Sequence, residues 1–557
     1  MSSSRDVDTA GALSATPEAE GSQPTGEHRA ARHARPETRG TKLDDWWART
    51  LSTPGRRAAW RWGGPAAVTL LAAALRLWNL GHPGELVFDE TYYVKDAYTL
   101  LNLGYEGSWP AEANEQFNAG NPDIYLTDPS FVAHPPLGKW IIALGLAAFG
   151  AEDPFGWRVS TAIVGVLTVV LVMLLAHTLF RSTVLTVIAG GLLAIDGNAI
   201  VMSRVTLLDG SLALLALLGF GAVLLDRRHA TRRLELWALS RRSAGRELGW
   251  GPSLWWRPWL IVAGLILGLA AGVKWSGLYF LAFFAVYTVV ADALARRRLG
   301  VPFWATGTVL KQAPVTFLLM IPIAAVAYLA TWTGWFATTG GYYRRWAEDT
   351  GGAWTGALAW VPLDLQNWWH YQAAMYTYAV GESRPHSYSA NPLTWLLMIR
   401  PTSMYYRSLD QGQDGCAATV CGEAITGIAN PLIWWASAAA AVYLTYRLVR
   451  YRDWRHGLIL TGVAAGYLPW LLYLNRTVYQ FYTIAFEPYL ILALTAVIGM
   501  ILGSRDDPTW RRLSGIRLLA VYFGFVVLVS AFYYPLWTGI QAPWPFIQLH
   551  YWLPSWR

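Results

Sequence analysis

Residues 156–180 read GWRVSTAIVGVLTVVLVMLLAHTLF, a stretch in which Arg158 and His177 are the only ionisable side chains. As an α-helix it is about 37 Å long, enough to cross a hydrocarbon core of about 30 Å. On its C-terminal side further apolar runs follow at 183–201 and 205–225, and after a basic stretch at 258–274, 276–294 and 313–335. On its N-terminal side the first run covers 60–80. Beyond a long polar, aromatic segment at 336–425 come four more, at 427–446, 456–474, 480–502 and 515–535. The expected fold class is therefore an all-α integral membrane protein with about eleven transmembrane helices.

Composition agrees. Of 557 residues 54% are hydrophobic and 14% charged, about half the charged share of soluble domains. The 32 tryptophans suit a headgroup boundary. The net charge of +8 does not point to nucleic acid, because the arginines fall in short clusters between apolar runs. Cys416 and Cys421 are the two cysteines, too few for a metal site; they form either a local disulfide or two free thiols. Residues 1–57 are polar and without apolar periodicity, so a disordered tail is expected there. It is not a signal peptide, since the apolar run begins only near Trp60.

Charge sets the expected topology. The segment 136–150 (PLGKWIIALGLAAFG) is short for a span. If it does not cross, the basic loops at Arg181, 226–257, 295–312, 447–455 and 503–517 all fall on one side, with Lys95 and Lys139 alone in the facing loop 81–155. Basic loops stay in the cytoplasm. The expectation is a multi-pass protein of the plasma (cell) membrane, N-terminus cytoplasmic and C-terminus outside. It divides into a tail (1–57), an N-terminal transmembrane module (58–335) including outer loop 81–155, an extracytoplasmic loop (336–425) and a C-terminal module (426–557).

That topology gathers the unusual polar residues on the outer side. Asp89 and Glu90 stand side by side among aromatics in Val87-Phe88-Asp89-Glu90-Thr91-Tyr92-Tyr93. Partial burial and mutual repulsion would leave one of them a base near working pH, and the alternative is a surface acidic turn. His134 and Lys139 flank the start of the short helix, and Arg158 opens the next span. Ionisable groups inside apolar segments face a cavity or a partner, so Arg204 and Asp209 either pair with each other or line a site. Lys274 and Arg476 stand at the ends of later spans, as site cations or as anchors. His370 and His386, in the long loop, read as packing. Two acids and several cations on one face describe a site for an anionic, lipid-linked substrate undergoing proton-coupled group transfer. No phosphate loop or dinucleotide fingerprint is present.

Phe88-Asp89-Glu90, His134-Pro135-Pro136-Leu137-Gly138-Lys139, Arg158, Arg204-(x)4-Asp209 and Gly272-Val273-Lys274-Trp275-Ser276-Gly277-Leu278, in this order, resemble the protein O-mannosyltransferases of the GT-C class of membrane glycosyltransferases. Arg476 through Tyr489 looks like the family's late aromatic loop. The segment 336–425 is too short for the β-trefoil domain of eukaryotic members, and the high Ala, Arg and Trp content looks like the actinobacterial branch.

The resemblance implies a GT-C-type bundle with a juxtamembrane helical first outer loop. It also implies transfer of mannose, with inversion, from polyprenyl phosphate mannose to Ser or Thr hydroxyls of exported polypeptides. Asp89 would be the general base and Glu90 would orient the acceptor or share the proton. Arg158, Lys274 and Arg476 would bind the donor phosphate, and His134, Lys139, Arg204 and Asp209 would position these groups. No cofactor is required, although a divalent cation (Mg or Mn) could join Asp89 to phosphate oxygens. Implied partners are the lipid-linked donor, exported polypeptides, membrane lipid and the secretion translocon that delivers such chains. Two other readings are a GT-C transferase with a lipid or glycan acceptor and a secondary transporter; the latter predicts an internal repeat, and none is seen.

Overall fold

The computed structural model describes residues 40–557. The chain runs through α1 (Lys42–Thr50), α2 (Pro54–Leu77), α3 (Glu90–Leu103), α4 (Ala113–Asn118), α5 (Leu137–Phe149), α6 (Pro154–Phe180), α7 (Thr183–Ala194), α8 (Gly197–Arg204), α9 (Asp209–Ser243), α10 (Pro258–Val273), α11 (Gly277–Arg298) and α12 (Trp304–Ala330). Next come α13 (Leu363–Gly381) and a hairpin of β1 (Ser403–Asp410) and β2 (Val420–Thr426). The chain ends with α14 (Pro431–Tyr451), α15 (Trp454–Tyr467), α16 (Glu487–Leu502), α17 (Thr509–Thr538) and a short β3 (Ala542–Pro543) beside β2.

Every expected span falls on helix. Among the described residues α6, α9, α11, α12, α14 and α17 are long and apolar enough to cross a membrane, and α7 with α8, bent by 60°, makes a seventh if counted as one span. The others, α2, α10, α15 and α16, are shorter or carry charge along their length. The eleven expected runs thus fall on helical segments, six or seven of which are long and apolar enough to be spans, and several are broken near the site. Lys274 stops α10 in extended conformation, and a 3-10 segment Gln480–Ala485 precedes α16. Large apolar side chains lie exposed on the outer faces of the bundle, among them Leu70, Leu174, Val326, Val442 and Leu528. Side chains of this kind are stable there only against lipid.

Close helix contacts follow from glycine. On α10, a Cβ added at Gly264 or Gly268 would come within 2.5 or 2.3 Å of the Met320 or Ala324 carbonyl oxygen of α12. Small residues every fourth position let two backbones touch where hydrophobic exclusion cannot drive them together. At the opposite end of the bundle from residues 81–155, a buried Arg257 joins Asp226 of α9 (Nη2–Oδ2 2.5 Å) to Asp292 of α11 (Nη1–Oδ2 2.5 Å).

One expectation changes. The disordered tail expected over 1–57 falls partly outside the described residues, but 41–51 is ordered. Thr41 and Asp44 form a capping box on α1, and Asp44 holds Arg512 at the head of α17 through two contacts of 2.5 and 2.6 Å. A helix this short leaves too little periodicity to read. The expected all-α class holds, with one small sheet added to the helices. The segment 336–425 contains α13 and most of an antiparallel sheet of order β1-β2-β3, its hairpin closed by a Cys416–Cys421 disulfide with Cα atoms 5.8 Å apart.

Helix α5 spans about 20 Å, well short of a bilayer core. Its Gly138 packs on Leu208 and Val273, and its Gly145 on Gly156 and Ser160. It therefore lies along the end of the bundle where α6 and α9 begin and α10 stops.

Candidate active site

The neighbouring acids at the head of α3 have opposite environments. Glu90 is fully buried, and four donors fill its carboxylate. Oε1 accepts from Arg158 Nε (2.9 Å) and the Thr206 amide (2.8 Å), and Oε2 from Arg158 Nη2 (2.8 Å) and the Val87 amide (3.0 Å). Arg158 is equally saturated. Beyond Glu90 it donates to the carbonyls of Leu80 (3.3 Å), Pro83 (2.7 Å) and Glu85 (2.9 Å). All five of its N–H groups are used, so none remains for a phosphate. The pair clamps the 80–90 turn to α6. This corrects the phosphate role expected of Arg158 and the acceptor-facing role expected of Glu90.

Arg204 does not pair with Asp209. It donates to the carbonyls of Arg76 (3.1 Å), Trp78 (2.7 Å) and Asn79 (3.0 Å), capping the C-terminus of α2, where a helix end favours a cation. Lys139 is buried against Glu106 (2.5 Å) and Asp96 (3.6 Å), which ties α5 to α3. Both residues support the loop around the site and do not enter it.

The remaining expected residues do converge. Asp89 is half-buried and has no ion pair among the described residues. It sits one helical turn before Tyr93, whose hydroxyl is within hydrogen-bonding reach. Burial pushes its carboxyl up to about 6; Lys274 pulls it down, and Asp209 pushes it up again. Asp209 takes the Lys274 ammonium symmetrically, at 3.0 Å to each oxygen. The ammonium also lies 4.1 Å from the Tyr482 ring centroid, and three N–H groups against one carboxylate leave it a donor to spare. His134 faces Tyr93. Burial, with Lys274, Lys139 and Arg476 nearby, holds its imidazole well below the usual range, hence neutral. Arg476 stacks on Trp470 with its Nε buried and unpaired.

Aromatic rings wall the site. Phe88 meets Tyr479, Phe481 and, from the long loop, His386, at 6.0, 5.7 and 6.4 Å between centroids. The strap carrying His386 is fastened beside Arg476: the Thr477 amide donates to Glu382 and the Ala390 amide to Val478. Of the two loop histidines read as packing, His370 does pack, stacked on Trp346 at 3.8 Å, whereas His386 reaches the rim. Sequence reasoning missed Tyr93, Tyr482, Asp96 and Glu106. Tyr93 was within reach, four positions after Asp89 on one helix face; Asp96 and Glu106 carry no local signal.

Among the described residues no group of three or more His, Cys, Asp or Glu side chains is placed to hold a metal ion. Both Asp209 oxygens are engaged by Lys274, which leaves Asp89 alone as an oxygen donor.

Residues 66–337 match the family described as dolichyl-phosphate-mannose-protein mannosyltransferase, and 364–556 match the C-terminal four-transmembrane region of protein O-mannosyltransferase. A polyprenol-phosphate-mannose–protein mannosyltransferase of Mycolicibacterium smegmatis is 35% identical over 89% of this chain and 93% of its own. Its namesake in Corynebacterium glutamicum is 30% identical over 90% and 94%. The S. cerevisiae protein O-mannosyltransferase Pmt1-Pmt2 complex, solved bound to the sugar donor, superposes with a TM-score of 0.64 at 13% identity, covering 93% of this chain and 95% of that one; at this identity the likeness is one of fold. With relatives so similar over nearly its whole length, the chain belongs to the protein O-mannosyltransferase family.

Proposed function

We propose that the chain transfers mannose from polyprenyl phosphate mannose to Ser or Thr hydroxyls of exported polypeptides, on the extracytoplasmic face of the cell membrane. The observation that carries this reading is the state of Asp89: half-buried, without an ion pair among the described residues, and pushed up to about 6 by burial while Lys274 restrains the rise. A hydroxyl is a poor nucleophile until a base of this kind takes its proton.

The acceptor O–H proton passes to an Asp89 oxygen as the hydroxyl oxygen forms its bond to the anomeric carbon. The bond from that carbon to the phosphate oxygen breaks, and the polyprenyl phosphate leaves with one more negative charge. A single in-line displacement inverts the anomeric centre, and no acid is required. Lys274 and Arg476 are the cations left to meet that charge, Lys274 with its spare N–H and Arg476 with its unpaired Nε. Neutral His134 can accept a hydrogen bond from a sugar hydroxyl without adding charge. The rim of Phe88, Tyr479 and His386 lies beside the base, where the acceptor approaches. No step is routed through a divalent cation.

The Cys416–Cys421 disulfide, on the same segment as the His386 strap, supports an oxidising outer side for this end of the molecule. Delivery of acceptors by the secretion translocon remains part of the proposal. The test is transfer from radiolabelled polyprenyl phosphate mannose to a Ser/Thr/Pro-rich peptide in membranes. Peptide labelling by wild type that is lost in Asp89→Asn is the expected result. Labelling of lipid or glycan without peptide would favour the other GT-C reading.

A further inference from the structure

Beneath the site, at the 60° break between α7 and α8, two buried carboxyls meet. Asp196 and Glu487, 0% and 1% exposed, are held together by Asn198, whose amide N–H donates to Asp196 Oδ1 (2.9 Å) and whose Nδ2 donates to Glu487 Oε2 (2.8 Å). Two carboxylates cannot hydrogen-bond, so a direct bond between them requires a proton on one. The surrounding donors decide which. Asp196 Oδ1 already accepts from the Asn198 and Ala199 amides (2.9 and 3.3 Å), and Oδ2 from the Asn430 amide (3.0 Å). It behaves as an anion at the N-terminus of α8. Among the described residues Glu487 receives one hydrogen bond, from Asn198 Nδ2 to Oε2 (2.8 Å), and its Oε1 is buried without a hydrogen-bond partner.

We propose that Glu487 is a neutral acid whose Oε1–H donates to Asp196, and that this bridge is the positioning contact for the aromatic segment Gln480–Ala485 in the transfer site. Glu487 follows that segment after one residue, and the segment carries Phe481 and Tyr482 to Lys274. Asp196 joins it, through Asn430, to the start of α14 and to Val526 and Ser530 of α17. Arg76, fully buried and donating to Leu193, Ala194 and Ser203, stands in the field of both acids.

The positioning half rests on the proposed transfer reaction; the proton's place does not, and two measurements separate them. Glu487→Gln replaces Oε1–H by an amide N–H of the same shape, so transfer should stay within about two-fold of wild type. Asp196→Asn turns an amide NH2 against backbone N–H donors, and Glu487→Leu removes the bridge. Each should lower kcat roughly ten-fold or more, with the KM for peptide changed little. Separately, the infrared difference spectrum of purified wild type against Glu487→Gln should contain a protonated-carboxyl C=O band that shifts in D2O. An absent band, or Asp196→Asn tolerated while Glu487→Gln is not, would overturn the proton assignment. A band present with all three variants fully active would overturn the positioning role. A band present in a wild type that transfers no mannose to peptide would instead count against the reaction itself.

Discussion

A carboxyl that must take a proton from a hydroxyl near neutral pH has to be basic enough to accept it and still ionised when the substrate arrives. Asp89 meets both conditions because burial raises it while Lys274 restrains the rise. Below about 6 it is protonated and cannot act, so transfer should increase through that pH and level off above it. His134, held well below its usual range, adds no second limb there. Asp209→Asn removes a like charge and frees Lys274, and both effects lower Asp89. The acid limb of kcat/KM should therefore move to lower pH, even as the maximal rate falls; a limb that moves up or stays would disconnect it from Asp89. Asp89→Asn should cost about 10²- to 10⁴-fold in kcat, the range for a general base, with donor binding retained. Glu90 and Arg158 belong to another category. Glu90→Gln strands a buried guanidinium, at a cost of about 3–5 kcal/mol, and Arg158→Lys offers three donors to five acceptors. Both should lower Tm and folded yield. A raised donor KM in Arg158→Lys at unchanged Tm would restore the phosphate role that its saturated N–H groups deny it. The sequence placed all these residues near one another but could not divide them, because an acid or a cation next to a span reads the same whether it faces substrate or a neighbouring loop. What separates Arg158 from Arg476 is a count of carbonyl partners from Leu80, Pro83 and Glu85, and no pattern of residue types encodes that.

Elements were legible in proportion to their apolar length. α6, α9 and α17 announce themselves through unbroken apolar runs. α1 did not, and neither did the β1–β2 hairpin, whose strands lie in an aromatic-rich segment with no clean alternation. The close approach of α10 and α12 was also written in the sequence, as glycines every fourth position, but it becomes readable only once the partner is known. Gly268→Val would drive a Cβ that already falls 2.3 Å from the Ala324 carbonyl into backbone. Since backbone cannot step aside as a side chain does, Tm should drop by several degrees, with destabilisation of roughly 1–3 kcal/mol. Wild-type thermal stability in that variant would mean the two helices are not in contact. The strap from Glu382 to Ala390 makes the opposite demand. It is fastened by its backbone to Thr477 and Val478, while His386 projects, exposed, to the rim beside Phe88. His386→Ala should therefore leave Tm and the donor KM near wild type and raise the KM for an acceptor peptide. Equal changes in both KM values would place His386 on the donor side instead.

At the scale of the molecule, the arrangement has to reconcile a polar site with an apolar solvent. It does so by gathering broken elements at the site: α10 stops at Lys274, the 3-10 segment interrupts the run before α16, α7 and α8 bend at Asp196, and α5 is too short to match its neighbours. Backbone freed from helical bonding is tolerated there because protein, not lipid, surrounds it. The other end is basic and stapled by Arg257. If this polarity is also the polarity of the membrane, single cysteines placed in a Cys416→Ser/Cys421→Ser background should report it. Glu152, exposed in the turn between α5 and α6, and Asp506, exposed before α17, sit at opposite ends. In intact cells or spheroplasts a membrane-impermeant maleimide should label Glu152→Cys and leave Asp506→Cys unlabelled until the membrane is opened. The reverse pattern would either put Asp89 on the cytoplasmic side, where exported polypeptides do not pass, or make α5 a span. Labelling of both from outside would mean that the chain between them crosses the membrane an even number of times, and one of the short helices α10, α15 and α16 would then have to be counted again.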